Sequence, residues 1–504
     1  MTSVESKLAW LRAHLLEVND LQSAAALLHW DQTTYMPPKG AVARGRQLAT
    51  LNSLGHAKFI DSAVGQLLDG LGNYEESLSF DSDNASLIRV TRREYHRAVK
   101  VPTEFTARLN AHTAASYSTW AEARVDNNFR AVRPYLEKTL DLSRELAEFF
   151  PGYAHIADPL IDLSDQGMTA DGIRAVFASL CDGLKPLIKA ITDQPRIDAS
   201  CLSHPFAREG QRKFAEFVVS RFGYDFQRGR LDTTAHPFMT KFSVDDVRIT
   251  TRYRDDELGD ALFSTMHEAG HALYEQGIEP SFEGTPLGTG TSSGIHESQS
   301  RLWENLVGRD RRFWMHFYPH LQREFPKQFG PVELDNFYRA INKVEPSLIR
   351  TEADEVTYNL HVMIRFETEL ELLEGNLEVR DLPDAWHACY QDSVGVTPPD
   401  DRNGVMQDVH WFAGTVGGAF QGYALGNIMA AQVFAAALQA HPEIPSHIGR
   451  GEFDTLRTWL QENIYRHGSK YTPAELLHRV AGGPLDVNPL LRHLHAKYGE
   501  IYEL

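Results

Sequence analysis

The stretch FSTMHEAGHALYEQG, residues 263–277, carries the pattern HExxH on what reads as a helix. Helical residues four apart lie on one face, so His267 and His271 can direct two imidazoles at one ion. Glu268 is rotated from that face by about 100°, which puts its carboxylate beside the ion rather than on it. The spacing predicts a zinc site in which Glu268 is the general base for a metal-activated water. The alternative is an ordinary helix that bears two histidines by chance.

A catalytic zinc typically has three protein ligands, so a third residue must come from elsewhere. The best candidate is Glu297 in GIHESQSRLWENLVG, residues 294–308, a helix-like run that follows a loop rich in Gly, Ser, Thr and Pro. His296 competes with it, but adjacent helical residues point in different directions and cannot easily bind one ion together. Glu297 could equally be a solvated carboxylate paired with Arg301. Spacing alone leaves these interpretations open.

Apolar residues recur at helical spacing along most of the chain, which predicts amphipathic helices. The segments with this pattern lie at 8–18, 105–123, 136–146, 171–191, 208–222, 256–276, 352–374 and 454–465. Strand candidates are few: residues 242–253 alternate at period two, and 346–351 is a second candidate. The sequence therefore predicts a mainly α fold, a large helical body with a small β-sheet near the zinc helix.

The length of 504 residues and a hydrophobic content of 42% allow one large core or several small ones. A prior of about 150 residues per domain suggests roughly three domains. We find no internal repeat and no clear linker, however. The simplest prediction is a single domain over residues 1–504, built as one body or as two lobes around a groove.

The charge and the cysteines restrict partners and compartment. A net charge of -18 argues against nucleic acid, because a polyanion is bound through Lys and Arg. Three widely spaced cysteines, Cys181, Cys201 and Cys389, argue against a disulfide framework and favour a reducing compartment. The N-terminal stretch has no export signal, and the apolar run 428–440 is shorter than the roughly 20 residues of a membrane span. We expect a cytoplasmic protein with no membrane partner, in which 428–440 is a buried helix.

Six short motifs resemble the signatures of the carboxypeptidase Taq family of zinc metallocarboxypeptidases. They occur in the family's order: HPF (236–238), DVRIT (246–250), HEAGH (267–271), HESQ (296–299), IRTEAD (349–354) and GVMQDVHW (404–411). The motifs span residues 236–411, and the rest of the chain matches the family more loosely, in length and in its helix-rich N-terminal half. The coincidence of six ordered motifs is highly specific.

The resemblance implies a mostly α-helical, saddle-shaped homodimer with a deep active-site groove. It also implies one zinc ion per chain, completed by the glutamate of HESQ, here Glu297, with cobalt able to replace zinc in some relatives. The implied activity is release of single amino acids from free C-termini of peptides, with broad preference and usually not at a C-terminal proline.

Two further roles follow from the resemblance and from the chemistry of such an enzyme. Arg350 of IRTEAD is the candidate for gripping the substrate's terminal carboxylate, because a guanidinium offers two parallel charge-assisted hydrogen bonds. Its alternative is a structural pair with Asp354. His410 of GVMQDVHW or the downstream Tyr423 is the candidate donor to the developing oxyanion. His410 could instead be a core histidine packed by Trp411.

Asp246 and Arg248 of DVRIT are predicted to support the metal ligands from behind, since ligand orientation depends on outer hydrogen bonds. An ordinary ion pair on a strand is the equal alternative for these two residues. Their role is left open by the sequence.

Competing functions remain within and outside the peptidases. An aminopeptidase would usually carry a GxMxN motif, which the sequence lacks. A zinc endopeptidase or oligopeptidase of the same HExxH class would cut a C-terminally amidated peptide that a carboxypeptidase spares. A noncatalytic peptide-binding protein with a vestigial metal site is the last alternative, and the intact Glu268 argues against it because a binding module needs no general base.

Overall fold

Residues 3–504, the part of the chain that this computed structural model describes, form 23 α-helices and three β-strands. The helices are α1 (Val4–Thr34), α2 (Ala41–Phe59), α3 (Ser62–Asp69), α4 (Gly72–Glu76), α5 (Asp83–Lys100), α6 (Thr103–Val125), α7 (Phe129–Glu148), α8 (Asp158–Ser164), α9 (Ala170–Thr192), α10 (Arg208–Phe222), α11 (Gly259–Gln276), α12 (Ser293–Arg301), α13 (Arg311–Glu324), α14 (Pro326–Phe329), α15 (Leu334–Ile341), α16 (Tyr358–Glu374), α17 (Leu382–Ser393), α18 (His410–Ala413), α19 (Gln421–Ala440), α20 (Ile444–Ile448), α21 (Asp454–Asn463), α22 (Pro473–Ala481) and α23 (Asn488–Tyr502). The strands are β1 (Leu231–Thr233), β2 (Met239–Ser243) and β3 (Asp246–Thr251). The predicted mainly α fold with a small sheet is confirmed.

The three strands form one sheet in the order β1-β3-β2, with β1 parallel and β2 antiparallel to β3. The predicted strand 242–253 is thus divided, because a turn at Val244 and Asp245 separates β2 from β3. Val247 and Ile249 of β3 are fully buried, in the same apolar cluster as residues of α11. The hydroxyl of Thr251 also donates to the backbone carbonyl of Ala261 in α11. The sheet therefore supports the first turns of the HExxH helix.

The second predicted strand, 346–351, is wrong. Residues 346–349 are irregular and Arg350–Glu352 form a 3₁₀ turn. A side chain takes the place of a neighbouring strand here, because the Gln407 amide donates to the carbonyl of Leu348 and accepts the backbone N–H of Arg350. The helix predicted to begin at 352 begins only at Tyr358.

The core is one large apolar cluster, drawn from α6 through α22, with two smaller clusters beside it. One of the smaller clusters joins α1, α3 and α5 near the N-terminus, and the other joins α9 to α23. The run 428–440 lies in α19, a helix buried over most of its length, as predicted. Among the described residues, no helix has both the length and the apolar character needed to cross a membrane.

Candidate active site

Helices α11 and α12 bring together the three predicted metal ligands. One ligand atom from each of His267, His271 and Glu297 lies within 4.8 Å of the other two. The Nε2 atoms of His267 and His271 are 3.5 and 3.4 Å from the same Oε2 of Glu297. Zinc bonds of about 2.0–2.2 Å in a tetrahedral arrangement separate neighbouring donor atoms by roughly 3.3–3.5 Å. The donor types and their spacing therefore fit a zinc ion.

The opposite ring atoms of the two histidines are held by residues behind them. Nδ1 of His267 lies 2.9 Å from a carboxylate oxygen of Glu304. Nδ1 of His271 lies 2.6 Å from Nδ1 of His296, whose Nε2 contacts Glu275 at 2.9 Å. Such outer contacts fix the ring orientation and leave the Nε2 lone pair directed at the metal. His296, the competing ligand candidate, thus supports His271 from behind.

Arg301 holds the carboxylates of this site from one side. Its Nε–H donates to Oε1 of Glu297 at 2.8 Å, and its Nη1–H donates to Glu304 at 3.3 Å. Glu297 can therefore pair with Arg301 through Oε1 and face the histidines through Oε2. The pairing with Arg301 considered for Glu297 is therefore present, but the carboxylate is buried and not solvated.

Glu304 was missed by the sequence analysis. It lies in a π-helix, Leu302–Val307, that continues directly from α12. Its signal was the spacing of seven residues from Glu297, which returns a side chain to nearly the same helix face. The π-helix itself has no recognisable pattern in the sequence, although π-helical turns are frequent at functional sites.

We predict that Glu304→Gln weakens metal binding by about 10- to 100-fold, because the amide cannot hold the Nδ1–H of His267 as the carboxylate does. Competition for the metal with a coloured chelator measures the affinity. The matched control is Glu443→Gln, a half-exposed surface residue. Equal affinities in the two variants would contradict the assignment of Glu304.

Two glycines allow the helices to approach closely around Glu297. A Cβ at Gly270 of α11 would lie 2.6 Å from the backbone of Gln299 and Ser300 in α12. A Cβ at Gly426 of α19 would lie 2.5 Å from Cγ of Glu297. Glycine inside a helix costs about 1 kcal/mol relative to alanine, so close packing explains its use here. Glu297 is consequently held between two helices.

Glu268 lies on α11 next to the predicted ligand His267 and is buried. Burial raises the pKa of Glu268 to about 7. A carboxyl group whose pKa is close to the working pH is suited to accept and return a proton. The position and the environment of Glu268 both match a general base.

Arg350, His410 and Tyr423 lie together in a second group. His410 Nε2 is 3.0 Å from the hydroxyl of Tyr423, and the Arg350 guanidinium is 4.8 Å from the centre of the Tyr423 ring. Tyr358 joins this group to the metal ligands, because its hydroxyl accepts from Arg350 at 2.9 Å and its ring lies 4.3 Å from Arg301. Arg350, His410 and Tyr423 therefore form one connected group, which Tyr358 and Arg301 link to the predicted metal ligands.

The alternative partner considered for Arg350, Asp354, is wrong. Asp354 accepts hydrogen bonds from the backbone N–H groups of Val356 and Thr357. The chain at 350–354 is not yet helical, so helical spacing does not bring the two side chains together. Arg350 pairs instead with Asp408.

His410 has the half-exposed position of a site residue. Its side chain is 24% exposed, and its ring lies against Phe420. Burial and the nearby Arg350 lower the pKa of His410 to about 4, so the imidazole is neutral at pH 7. The indole N–H of Trp411 points away and donates to Glu369. Packing by Trp411 therefore does not enclose His410 as a core residue.

Asp246 and Arg248 form an ion pair on β3, the alternative considered for them. Both hydrogen bonds between them are 2.8 Å. The guanidinium lies over the rings of Trp30 and Phe242, so the pair faces α1. No hydrogen bond in the described chain joins the pair to the metal ligands. The supporting contacts predicted for these two residues come from Glu304 and His296 instead.

Comparison with known sequences finds one family over nearly the whole chain. The family model described as carboxypeptidase Taq (M32) metallopeptidase matches residues 10–498. Thermostable carboxypeptidase 1 of Thermus thermophilus is 42% identical over 492 residues, covering 96% of both chains. Carboxypeptidase 1 of Bacillus subtilis is 36% identical over 491 residues, covering 97% of both.

Comparison with solved structures agrees with this finding. The M32 carboxypeptidase from Deinococcus radiodurans R1 superposes with a TM-score of 0.95 at 47% identity, over 99% of this chain and 100% of the other. Trypanosoma cruzi metallocarboxypeptidase 1 gives a TM-score of 0.90 at 30% identity, over 98% and 99% of the two chains. The fold is shared from one end of the chain to the other.

Proposed function

This chain belongs to the carboxypeptidase Taq (M32) metallopeptidase family and is a peptide hydrolase, and we propose that it is a zinc-dependent carboxypeptidase of broad specificity. It releases single amino acids from the free C-termini of peptides. The observation that carries this proposal is the convergence of His267, His271 and Glu297 on one point at the spacing of zinc ligands.

The reaction is the addition of water to the last peptide bond. His267, His271 and Glu297 would hold a zinc ion, which would supply polarisation of the scissile carbonyl and a lower pKa for the attacking water. Glu268 takes the proton of that water as its oxygen bonds to the carbonyl carbon. Glu268 then delivers the proton to the leaving nitrogen as the carbon–nitrogen bond breaks. One water is consumed, and a shortened peptide and an amino acid are released.

His410 and Tyr423 act on the carbonyl oxygen. One of these two groups donates a hydrogen bond to the carbonyl oxygen as negative charge develops on it in the transition state. Their mutual contact of 3.0 Å keeps both groups at the same place. Arg350 lies beside them, with its guanidinium 4.8 Å from the centre of the Tyr423 ring. We propose that this guanidinium binds the terminal carboxylate of the substrate.

The preference for a free C-terminus depends on Arg350, and we predict that Arg350→Lys raises the KM for a free-acid peptide by about 10- to 100-fold. A lysine keeps the charge but loses the two-pronged grip. The measurement compares the KM and kcat of an N-acylated dipeptide in the two proteins, and the same peptide as a C-terminal amide tests selectivity. The unsubstituted enzyme is expected to spare the amide.

An endopeptidase or oligopeptidase would cleave the free acid and the amide at similar rates, and that outcome would contradict the carboxypeptidase proposal. The names of the relatives favour the carboxypeptidase. The noncatalytic alternative has no support, because the family is one of metallopeptidases.

We further propose one zinc ion per chain, which cobalt can replace, a homodimer, and a cytoplasmic location. Support for a reducing compartment comes from Cys181, Cys201 and Cys389, all of which are free thiols. A single peptidase domain is supported by the family match over residues 10–498.

A further inference from the structure

Arg350 is held in place by a carboxylate from a distant part of the chain. Its Nε–H and Nη2–H both donate to Oδ1 of Asp408, at 3.1 and 2.8 Å. Its Nη1–H donates to the hydroxyl of Tyr358 at 2.9 Å. The arginine side chain is 6% exposed, so these contacts determine where the guanidinium points.

Asp408 is itself anchored by a second arginine. Its Oδ2 accepts the Nε–H of Arg365, which lies in the middle of α16 and is fully buried. Nη1 of Arg365 donates to the carbonyl of His361 and to the hydroxyl of Tyr390. Burial disfavours the carboxylate, but the two guanidiniums outweigh it and hold the pKa of Asp408 well below its usual range. Asp408 is consequently a fixed anion between two cations.

The two guanidiniums share one hydrogen-bonded carboxylate. Among the described residues, Asp408 is the one carboxylate that hydrogen-bonds with either guanidinium. Burial lowers the pKa of His361 to about 3 and that of His410 to about 4, so neither adds charge at pH 7. Glu369 is also buried close by but makes no hydrogen bond with either guanidinium, and its Oε1 accepts from Trp411. Buried cations are stabilised by anionic partners, and here Arg350 and Arg365 share one hydrogen-bonded carboxylate.

We propose that Asp408 is a positioning residue for recognition of the substrate's terminal carboxylate and that Arg365 acts through it. Asp408 occupies the edge of Arg350 formed by Nε and Nη2. Nη1 and Nη2 each keep one N–H beyond their contacts with Tyr358 and Asp408, and these two N–H groups are available to the carboxylate of the substrate. This inference rests on the proposed role of Arg350 in substrate binding.

The experiment measures KM and kcat separately for an N-acylated dipeptide with a free carboxylate and for its amide. The Asp408→Asn variant is expected to raise the KM for the free acid by about 10- to 100-fold, with kcat nearly unchanged, because a charge-assisted contact that aims Arg350 is lost. Arg365→Gln should shift KM in the same direction, and Arg365→Lys should restore most of the loss because it keeps the cation. Zinc content should be equal in all of them.

Arg97→Gln is the matched control, because it removes another arginine–aspartate pair, that of Arg97 with Asp162. It should lower the melting temperature and leave the KM unchanged. A rise in KM equal to that of Arg365→Gln would show a general structural effect and overturn the proposal. An unchanged KM in folded Asp408→Asn and Arg365→Gln protein would also overturn it. If Asp408→Asn does not fold, the two Arg365 variants decide.

The Arg350→Lys variant separates this inference from the proposed function. If Arg350→Lys keeps the preference for the free acid, the proposed role of Arg350 fails. If Arg350→Lys loses that preference while the Arg365 and Asp408 variants keep it, only the positioning role fails.

Discussion

The Glu268→Gln variant is expected to retain its zinc and to lose about 10²- to 10⁴-fold in kcat, the contribution typical of a positioned general base. The amide has the size of the carboxylate but cannot accept the proton of the attacking water. Because Glu268 is buried, an uncharged amide introduces no new buried charge and the fold should persist. Zinc content by mass spectrometry and kcat on an N-acylated dipeptide are measured on the same preparation.

The matched control for this variant is Glu257→Gln, just before α11, where the carboxylate pairs with Arg254 and is 41% exposed. It should keep full activity. Undiminished turnover by Glu268→Gln would refute the assigned base. Loss of both zinc and activity would show that Glu268 is needed to hold the metal ligands in place, and would not support its role as a general base.

Substitution of the third ligand should have a different signature, because Glu297→Gln is expected to lose the metal itself. The affinity should fall by more than the roughly 10- to 100-fold assigned to an outer partner such as Glu304. Two neutral imidazoles would remain as ligands, and no carboxylate would coordinate the dication directly. Activity should vanish at equimolar zinc, as it should in the unsubstituted protein after treatment with a chelator.

Added zinc distinguishes the chelated, unsubstituted protein from the Glu297→Gln variant. The chelated, unsubstituted protein should recover its activity with one equivalent of zinc, while Glu297→Gln should need a large excess. Glu367→Gln, which removes a half-exposed carboxylate from α16, is the control and should behave as the unsubstituted protein. Normal zinc binding by Glu297→Gln would remove this residue from the ligand set.

Local pattern predicted the helical part of the site. HExxH is complete within two turns of one helix, so the positions of His267, Glu268 and His271 follow from helix geometry alone. Glu297 is separated from them by a loop, and spacing could only make it the best candidate. The resemblance to a family is what identified Glu297 as the third ligand, and in the structure Glu297 lies next to the two histidines.

Contacts between distant segments could not be predicted. The segment 346–351 has the composition of a strand but is held by the side chain of Gln407. Asp408 is inside a motif quoted from the sequence, yet its two arginine partners lie 58 and 43 residues away. The π-helix Leu302–Val307 that carries Glu304 has no local signature in the sequence. These features follow from the folded chain as a whole.

The glycines at 270 and 426 have a consequence for anyone who would transplant this metal centre into another protein. Gly270 packs against the backbone of the helix that carries Glu297, and Gly426 packs against the Glu297 side chain, so the location of the third ligand is set by how closely the two neighbouring helices approach. A new host would have to reproduce that contact, with a residue lacking Cβ on both neighbouring helices, as faithfully as the three donor groups. Grafting the donors alone would leave the carboxylate out of reach.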